Sequence, residues 1–205
     1  GKYSKEQFEY VNKQYGYSFH KKTVNIPQMA SEKKLSEEEA GRNARYAFFE
    51  SLGADKIATA HNANDNAETV LMNIFRGTGV SGLKGIEPIR DGKYIRPIIE
   101  CYRNEIEEFC NDNNLNPKID KSNFENIYTR NKIRNIIIPE IEAQFNPNIV
   151  KSINRLSELV SNENDFLEKY CNDVLENDLI ITSRSEIPSE AKNCLVLDLK
   201  EFNKL

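Results

Sequence analysis

The sequence predicts an α/β fold, with a parallel sheet and helices lying on its faces. Three observations predict it. Short apolar runs of strand length alternate with amphipathic patterns of helical period, an order that implies parallel strands joined by right-handed crossovers. The helix expected over 36–52 carries Ala40, Ala44, Ala47 and Phe48 on one face, small enough to lie close on a sheet. A histidine, His61, stands where the apolar run Lys56-Ile57-Ala58-Thr59-Ala60 ends, and Asp65 and Glu68 follow at the start of the next helical pattern. In an open α/β sheet ligands bind outside the carboxyl ends of the strands, so these three residues are the first site candidates.

The elements follow in order. Ser4-x-x-Gln7 reads as a capping box opening a helix with Phe8, Val11 and Tyr15 on its apolar face, and Gly16 ends it. Residues 17–26 read as a strand, with Phe19, Val24 and Ile26 inward, and 27–34 as a mostly polar loop. Ser36-x-x-Glu39 is a second capping box, and Gly53 closes its helix. A strand over 56–60 and a helix from about 65 to 75 come next. The glycine-spaced stretch from Arg76 to Gly85 reads as a loop. Residues 93–99 read as a strand near an edge or a strand end, because Pro97 cannot donate to a ladder. A helix from Arg103 to about Asn113 buries Ile106, Phe109 and Cys110. Asn116-Pro117 and Asp120-Lys121-Ser122-Asn123 are turns. Residues 129–137 are helical, and Pro139 restarts or kinks that helix. Beyond the break at Asn146-Pro147-Asn148, a long amphipathic helix runs to about Leu175 on Ile149, Ile153, Leu156, Val160, Leu167 and Tyr170. Strand-like runs at Leu179-Ile180-Ile181 and Cys194-Leu195-Val196-Leu197 finish the chain.

The chain has 205 residues, enough for one ordinary domain and part of another, and a hydrophobic fraction of 39% that suits a globular protein. No apolar run approaches the roughly 20 residues of a membrane span, and no leader resembles a signal peptide, so the expected compartment is the cytoplasm. Cys101, Cys110, Cys171 and Cys194 form no Cys-x-x-Cys pair, which gives zinc or iron–sulfur chemistry little support. The net charge of −4 argues against a uniformly basic surface. Segment 118–134, with five basic and two acidic residues, is the better place for a nucleic-acid contact.

Asp65 and Glu68 are three apart and share a helix face. They could hold an ammonium group or a metal, or simply form a capping box with Asp65 at the N-cap and Glu68 at N3. His61 is either a pocket residue or a hydrogen-bonded core histidine. The glycines at 77, 79, 82 and 85 follow a helix rather than a strand, so they miss the dinucleotide fingerprint. They form a turn-rich crossover or, with Arg76, an amide nest for phosphate. Arg130 and Arg134 lie at i and i+4 around Asn131 and either clamp a phosphate or form a solvated basic face. Arg42 and Arg45 pose the same question on the helix over 36–52.

Taken together and in this order, these motifs resemble one family. They are Gly41-Arg42-x-x-Arg45-Tyr46, Ala58-Thr59-Ala60-His61-x-x-Asn64-Asp65-x-x-Glu68-Thr69, and Arg76-Gly77-Thr78-Gly79-x-x-Gly82-Leu83-x-Gly85. Ile95-Arg96-Pro97, Asp120-x-Ser122-Asn123, Arg130-Asn131-x-Ile133-Arg134 and Pro139 complete the series. The series is similar to that of the tRNA(Ile)-lysidine synthetases, in the PP-loop ATP pyrophosphatase superfamily, over about residues 1–175. The resemblance implies a Rossmann-like parallel sheet of the PP-loop ATPase type, missing its first strand–helix unit and followed by a long helix and the start of a small C-terminal domain. It implies residues 1–145 as the remainder of a catalytic domain, 146–176 as a helical connector and 177–205 as the start of a tRNA-contacting domain.

The reaction implied has two steps: ATP adenylylates C2 of the wobble cytidine of a tRNA(Ile) with a CAU anticodon, and the ε-amine of free L-lysine then displaces AMP. By the resemblance Asp65 and Glu68 bind the lysine, His61 belongs to the nucleotide and cytidine pocket, and Arg45 and Arg134 steady the triphosphate and the adenylylated intermediate. Arg76, Gly77, Gly79, Arg130 and Asn131 line the nucleotide and tRNA cleft. ATP and Mg²⁺ are implied as cofactors, with no metal ligand expected in 1–205, and a homodimer is left open. Two departures stand out. Asn62 replaces a second histidine, and the Ser-Gly-Gly-x-Asp-Ser loop that grips pyrophosphate is absent, so residues 1–205 alone are expected to be inactive. The alternatives are another PP-loop tRNA-modifying enzyme of thiolase type, which the scattered cysteines disfavour, and a non-catalytic tRNA-binding scaffold.

Overall fold

The computed structural model describes residues 13, 15–115, 117 and 129–177. Of the helix expected to open at Ser4 only the end is described, with residues 13 and 15 helical, Gly16 at a φ of 71° and Tyr15 exposed rather than on a covered face. The turn at Asp120–Asn123 and the strands at 179–181 and 194–197 lie outside the described residues. In chain order the elements are α1 (Ile26–Lys33), α2 (Glu37–Ser51), β1 (Ile57–Ala58), α3 (Ala63–Phe75), α4 (Val80–Leu83), β2 (Ile89–Arg90) and β3 (Tyr94–Ile95). There follow α5 (Arg103–Asp112), α6 (Thr129–Lys132), a π-helical turn (Ile133–Ile137), α7 (Ile138–Gln144) and α8 (Ile149–Asn177). They fall into two compact units: Gly1–Ala63 with Glu87–Glu125, and Asn64–Ile86 with Asn126–Leu205.

The first unit is α/β, around a three-stranded sheet in the order β1-β3-β2. β1 and β3 are parallel, with Ile57 opposite Tyr94 and Ala58 opposite Ile95. β2 runs antiparallel to β3, so the sheet is mixed rather than wholly parallel as expected. The cause is a hairpin that hydrophobic period alone does not reveal. Asp91 and Gly92 both take positive φ, 54° and 61°, the conformation for which an Asp-Gly turn is suited. β3 ends before Pro97, as the missing donor requires, but it is the central strand and not an edge.

Two expectations near the start of this unit are overturned. Residues 17–25 form no strand, and 27–34 form no loop, because α1 begins at Ile26. The Asn25 side chain accepts the Gln28 N–H at 3.3 Å, and Pro27 stands in the first turn, where its missing N–H costs nothing. Tyr17 is 66% exposed, so the alternating apolar residues upstream find no sheet to join. α1 ends at left-handed Lys34 and packs on α2. Ser36 caps α2 as expected, its hydroxyl accepting the Glu39 N–H at 3.2 Å, and Gly53 follows at a positive φ. Ala40 is fully buried, but Ala47 is exposed. The inner face runs instead through Tyr46, whose ring meets Tyr94 edge-on at 5.0 Å. In α5, Ile106 and Cys110 are partly covered while Phe109 is 61% exposed, contrary to expectation.

The second unit is helical. Ala67, Val70, Leu71 and Met72 of α3 are buried. α8 buries Val150, Ile153, Ser157 and Val160, spaced three and four apart. That stripe is rotated from the expected one, since Leu156, Leu167 and Tyr170 are exposed. The reason is polar. The Ser157 hydroxyl donates to the Lys84 carbonyl at 2.6 Å and accepts from Asn66 Nδ2 at 3.3 Å, which draws Ser157 inward. Asn66 also donates to Asn154 Oδ1 at 3.0 Å and accepts the Ile86 N–H at 2.6 Å. The stretch expected as a glycine loop therefore contains the short helix α4 and is held against α3 and α8. Gly85 has φ of 70°, and a Cβ there would lie 2.1 Å from Asn66 Oδ1, so both backbone and space demand glycine. Pro139 acts as expected. It cannot continue an α ladder, and the Ile138 N–H reaches back five residues to the Ile133 carbonyl in the π-helical turn.

Candidate functional site

The candidate site is a cluster of two carboxylates and two guanidiniums on α3, α6 and the π-helical turn. α3 begins at Ala63, three residues before the Asn66 start that a cap at Asp65 requires, so the capping-box reading of Asp65 and Glu68 is wrong. Asp65 is the third helical residue, and Glu68 lies one turn nearer the middle on the same face.

That face meets Arg134. Its Nε donates to Glu68 Oε1 at 2.6 Å and its Nη2 to Glu68 Oε2 at 2.7 Å, a two-point fork, and Nη2 also reaches Asp65 Oδ1 at 2.9 Å. Charge-assisted bonds of this length are among the strong ones. The Glu68 side chain is 1% exposed, Asp65 16% and Arg134 21%. A carboxylate so buried persists ionised only when paired. Hydrogen bonding to Glu68 raises the Arg134 pKa above its ordinary value, with burial opposing, so the guanidinium is charged at any working pH.

Arg130, four residues earlier, engages the same face less completely. Its Nη2 donates to Thr69 Oγ1 at 2.9 Å, and Thr69 in turn donates to the Asp65 carbonyl at 2.9 Å. Arg130 Nε stands 3.9 Å from Glu68 Oε2, beyond hydrogen-bond length, and is buried with no acceptor among the described residues. Asn131 is partly covered and also engaged.

The other expected residues are not in this cluster. Arg76 and Gly77 stand at the far end of α3, roughly 16 Å along the axis from Asp65 at 1.5 Å per residue. Arg76 is exposed, Gly77 ends the helix with φ of 78°, and Gly79 precedes α4. His61 and Arg45 belong to the first unit. His61 Nδ1 lies 2.9 Å from Thr59 Oγ1 just past β1, and Arg45 is exposed on α2. Among the described residues no three metal-ligating side chains converge. The acidic pair is already engaged by guanidinium, so these residues do not fit a Mg²⁺ site.

The sequence offered no sign that Arg134 would pair with Asp65 and Glu68. The three were separated by function in the expectation, lysine for the acids and phosphate for the arginine. Opposite charge on the two motifs, two carboxylates against three basic side chains, says that they could pair but not which residues would.

Comparison with known proteins adds the lineage. Residues 2–141 match the family model described as PP-loop domain. The tRNA(Ile)-lysidine synthase of Clostridium acetobutylicum is 50% identical over 192 residues, covering 86% of this chain and 41% of that protein. The protein of the same name from Clostridium perfringens is 53% identical over 152 residues, 72% of this chain and 32% of its own length. That of Bacillus subtilis strain 168 is 34% identical over 183 residues, 86% and 38% respectively. The chain thus spans about a third to two fifths of the relatives it matches. With a matched model covering well over half its residues, the chain belongs to the PP-loop domain family.

Proposed function

We propose that this chain is part of a tRNA(Ile)-lysidine synthase, which uses ATP to adenylylate the wobble cytidine of tRNA(Ile) bearing a CAU anticodon and then joins free L-lysine to it. The observation that carries the reading is the Asp65–Glu68 pair, a buried acidic face that already receives a cationic nitrogen at 2.6 to 2.9 Å. An ammonium group is the next cation such a face would accept, and relatives over most of this chain bear the lysidine synthase name.

In this proposal Asp65 and Glu68 bind lysine, and His61 serves the nucleotide and cytidine pocket. Arg45 and Arg134 steady phosphate, and Arg76, Gly77, Gly79, Arg130 and Asn131 serve nucleotide and tRNA. Arg134 is bound to the carboxylates, so a phosphate role requires lysine to release it, which would couple the two substrates. ATP is the adenylyl donor and Mg²⁺ its companion ion, and the cytosol is the compartment where tRNA and ATP meet. Residues 1–145 act as catalytic domain, 146–176 as connector and 177–205 as the start of a tRNA-contacting domain. The test is incubation of the full-length gene product with a tRNA(Ile) transcript bearing CAU, ATP, Mg²⁺ and labelled lysine. Labelled tRNA is expected, and tRNA left unlabelled by active protein overturns the proposal.

A further inference from the structure

We infer that Arg96, a residue of the first unit, binds a phosphate group of one of the substrates at the carboxyl end of the sheet. The inference rests on the lysidine synthase reading for the source of that phosphate, which is either the triphosphate of ATP or the backbone of the tRNA.

Three observations lead there. The first is position. Arg96 is the residue after β3, the central strand, and Thr59 is the residue after β1. The two strands are parallel, and the Thr59 N–H donates to the Ile95 carbonyl at 2.9 Å, so their carboxyl ends lie side by side. Thr59 Oγ1 in turn lies 2.9 Å from His61 Nδ1. This is the edge at which α/β sheets bind ligands. The second is an unanswered charge. Arg96 is 7% exposed, yet among the described residues its guanidinium makes one hydrogen bond, from Nη1 to the Glu87 carbonyl, and no ion pair. Arg134, by contrast, is met by two carboxylates. Burying a guanidinium is costly unless an anion balances it, and one carbonyl does not balance a full positive charge. A chain that needed only to fasten Glu87 could use a neutral donor at less cost. The third is access. Nε is sealed from solvent without an acceptor among the described residues, whereas Nη2 is neither hydrogen-bonded there nor sealed, so Nη2 is the edge that an incoming oxygen reaches. Phosphate is the anion that a planar fork of N–H donors suits, and both proposed substrates carry it.

The experiment uses the full-length gene product. It measures Kd for ATP with Mg²⁺ and, separately, for a tRNA(Ile) transcript, together with the midpoint of denaturant unfolding. Arg96→Met keeps the length of the side chain and removes its charge. It is expected to weaken one of the two ligands about 10- to 100-fold, the range that charge-assisted hydrogen bonds supply, while the midpoint holds or rises because a buried charge is gone. Loss for ATP names the triphosphate as the source, and loss for tRNA names the backbone. Arg96→Lys keeps a cation without the fork, and its affinity is expected to fall between those of Arg96→Met and the unsubstituted protein. Both ligands bound by Arg96→Met as tightly as by the unsubstituted protein overturns the inference and spares the lysidine synthase reading. A lowered midpoint with both ligands weakened alike also overturns it, and makes Arg96 a brace for the chain at Glu87. An unsubstituted protein that binds neither ligand overturns both.

Discussion

Two glutamates, Glu68 and Glu50, each receive a cation from a residue distant in sequence, and they behave oppositely. Glu68 is 1% exposed and takes both arms of Arg134. Glu50 is 54% exposed and takes Lys93 and the Tyr94 hydroxyl in the last turn of α2. Lysine is a point charge on a flexible stem, and an exposed pair of this kind contributes little net stability. A buried pair is costly to assemble, and costlier still to break by removing one partner. The contrast separates a contact that ties a helix to a hairpin from one that keeps a charged face ready inside the protein. A chain that needed only stability at Glu68 could use an apolar side chain there.

The comparison breaks most visibly at Arg134. Arg134→Ala strands the buried Glu68 carboxylate and is expected to cost about 3–5 kcal/mol in denaturant unfolding. Arg130→Ala removes one hydrogen bond to Thr69 and is expected to cost roughly 0.5–1.5 kcal/mol in the same assay. A larger loss from Arg130 than from Arg134 would reverse the roles given to the two arginines. Glu50→Gln is expected to cost less than either. Raising the salt concentration should erase the effect of Glu50→Gln and leave that of Arg134→Ala largely intact, because screening reaches exposed pairs first.

The smallest effect is a pH dependence. Lys93 first, and the Tyr94 hydroxyl second, hold the Glu50 carboxyl below its ordinary value. Its contribution is therefore present above the ordinary carboxylate range and is lost as pH falls through the depressed value. The difference in stability between the unsubstituted protein and Glu50→Gln should shrink toward zero in acid. At the other extreme, the hydrogen bond to Glu50 is the main cause of a Tyr94 pKa pushed up to about 12. That contribution is present below the phenol's ordinary range and lost as pH rises through about 12. Glu50→Gln should lower the Tyr94 midpoint in an ultraviolet titration referenced to Tyr94→Phe.

Much of the fold was legible because local chemistry and tertiary packing agree. Ser36 caps α2, Pro139 stops an α ladder, and the long helix α8 begins after Asn146-Pro147-Asn148. Reading failed where a polar or turn signal outranked hydrophobic period. Asn25 and Pro27 start a helix in a stretch whose apolar alternation suggested a strand. Asp91-Gly92 makes a hairpin that lays Ile89-Arg90, a run too short to register as a strand, against the strand at Tyr94–Ile95. Ser157 turns α8 because Lys84 and Asn66 hold it, contacts that join residues more than seventy positions apart. The candidate site divides the same way. Asp65, Glu68, Arg130 and Arg134 stood out as residues, but which would touch which depends on packing of α3 against the π-helical turn, and spacing along one segment carries no information about that.

The account turns on the buried acidic pair binding the amino acid rather than only fastening Arg134. The direct measurement is a single-turnover assay of Asp65→Ala in the full-length gene product, following the adenylylated tRNA and the lysine-bearing tRNA separately. The account predicts that the AMP adduct forms at close to the unsubstituted rate and that lysine transfer is lost. Lysine transfer at an unchanged rate would contradict it, and would leave the cluster as an internal ion pair alone.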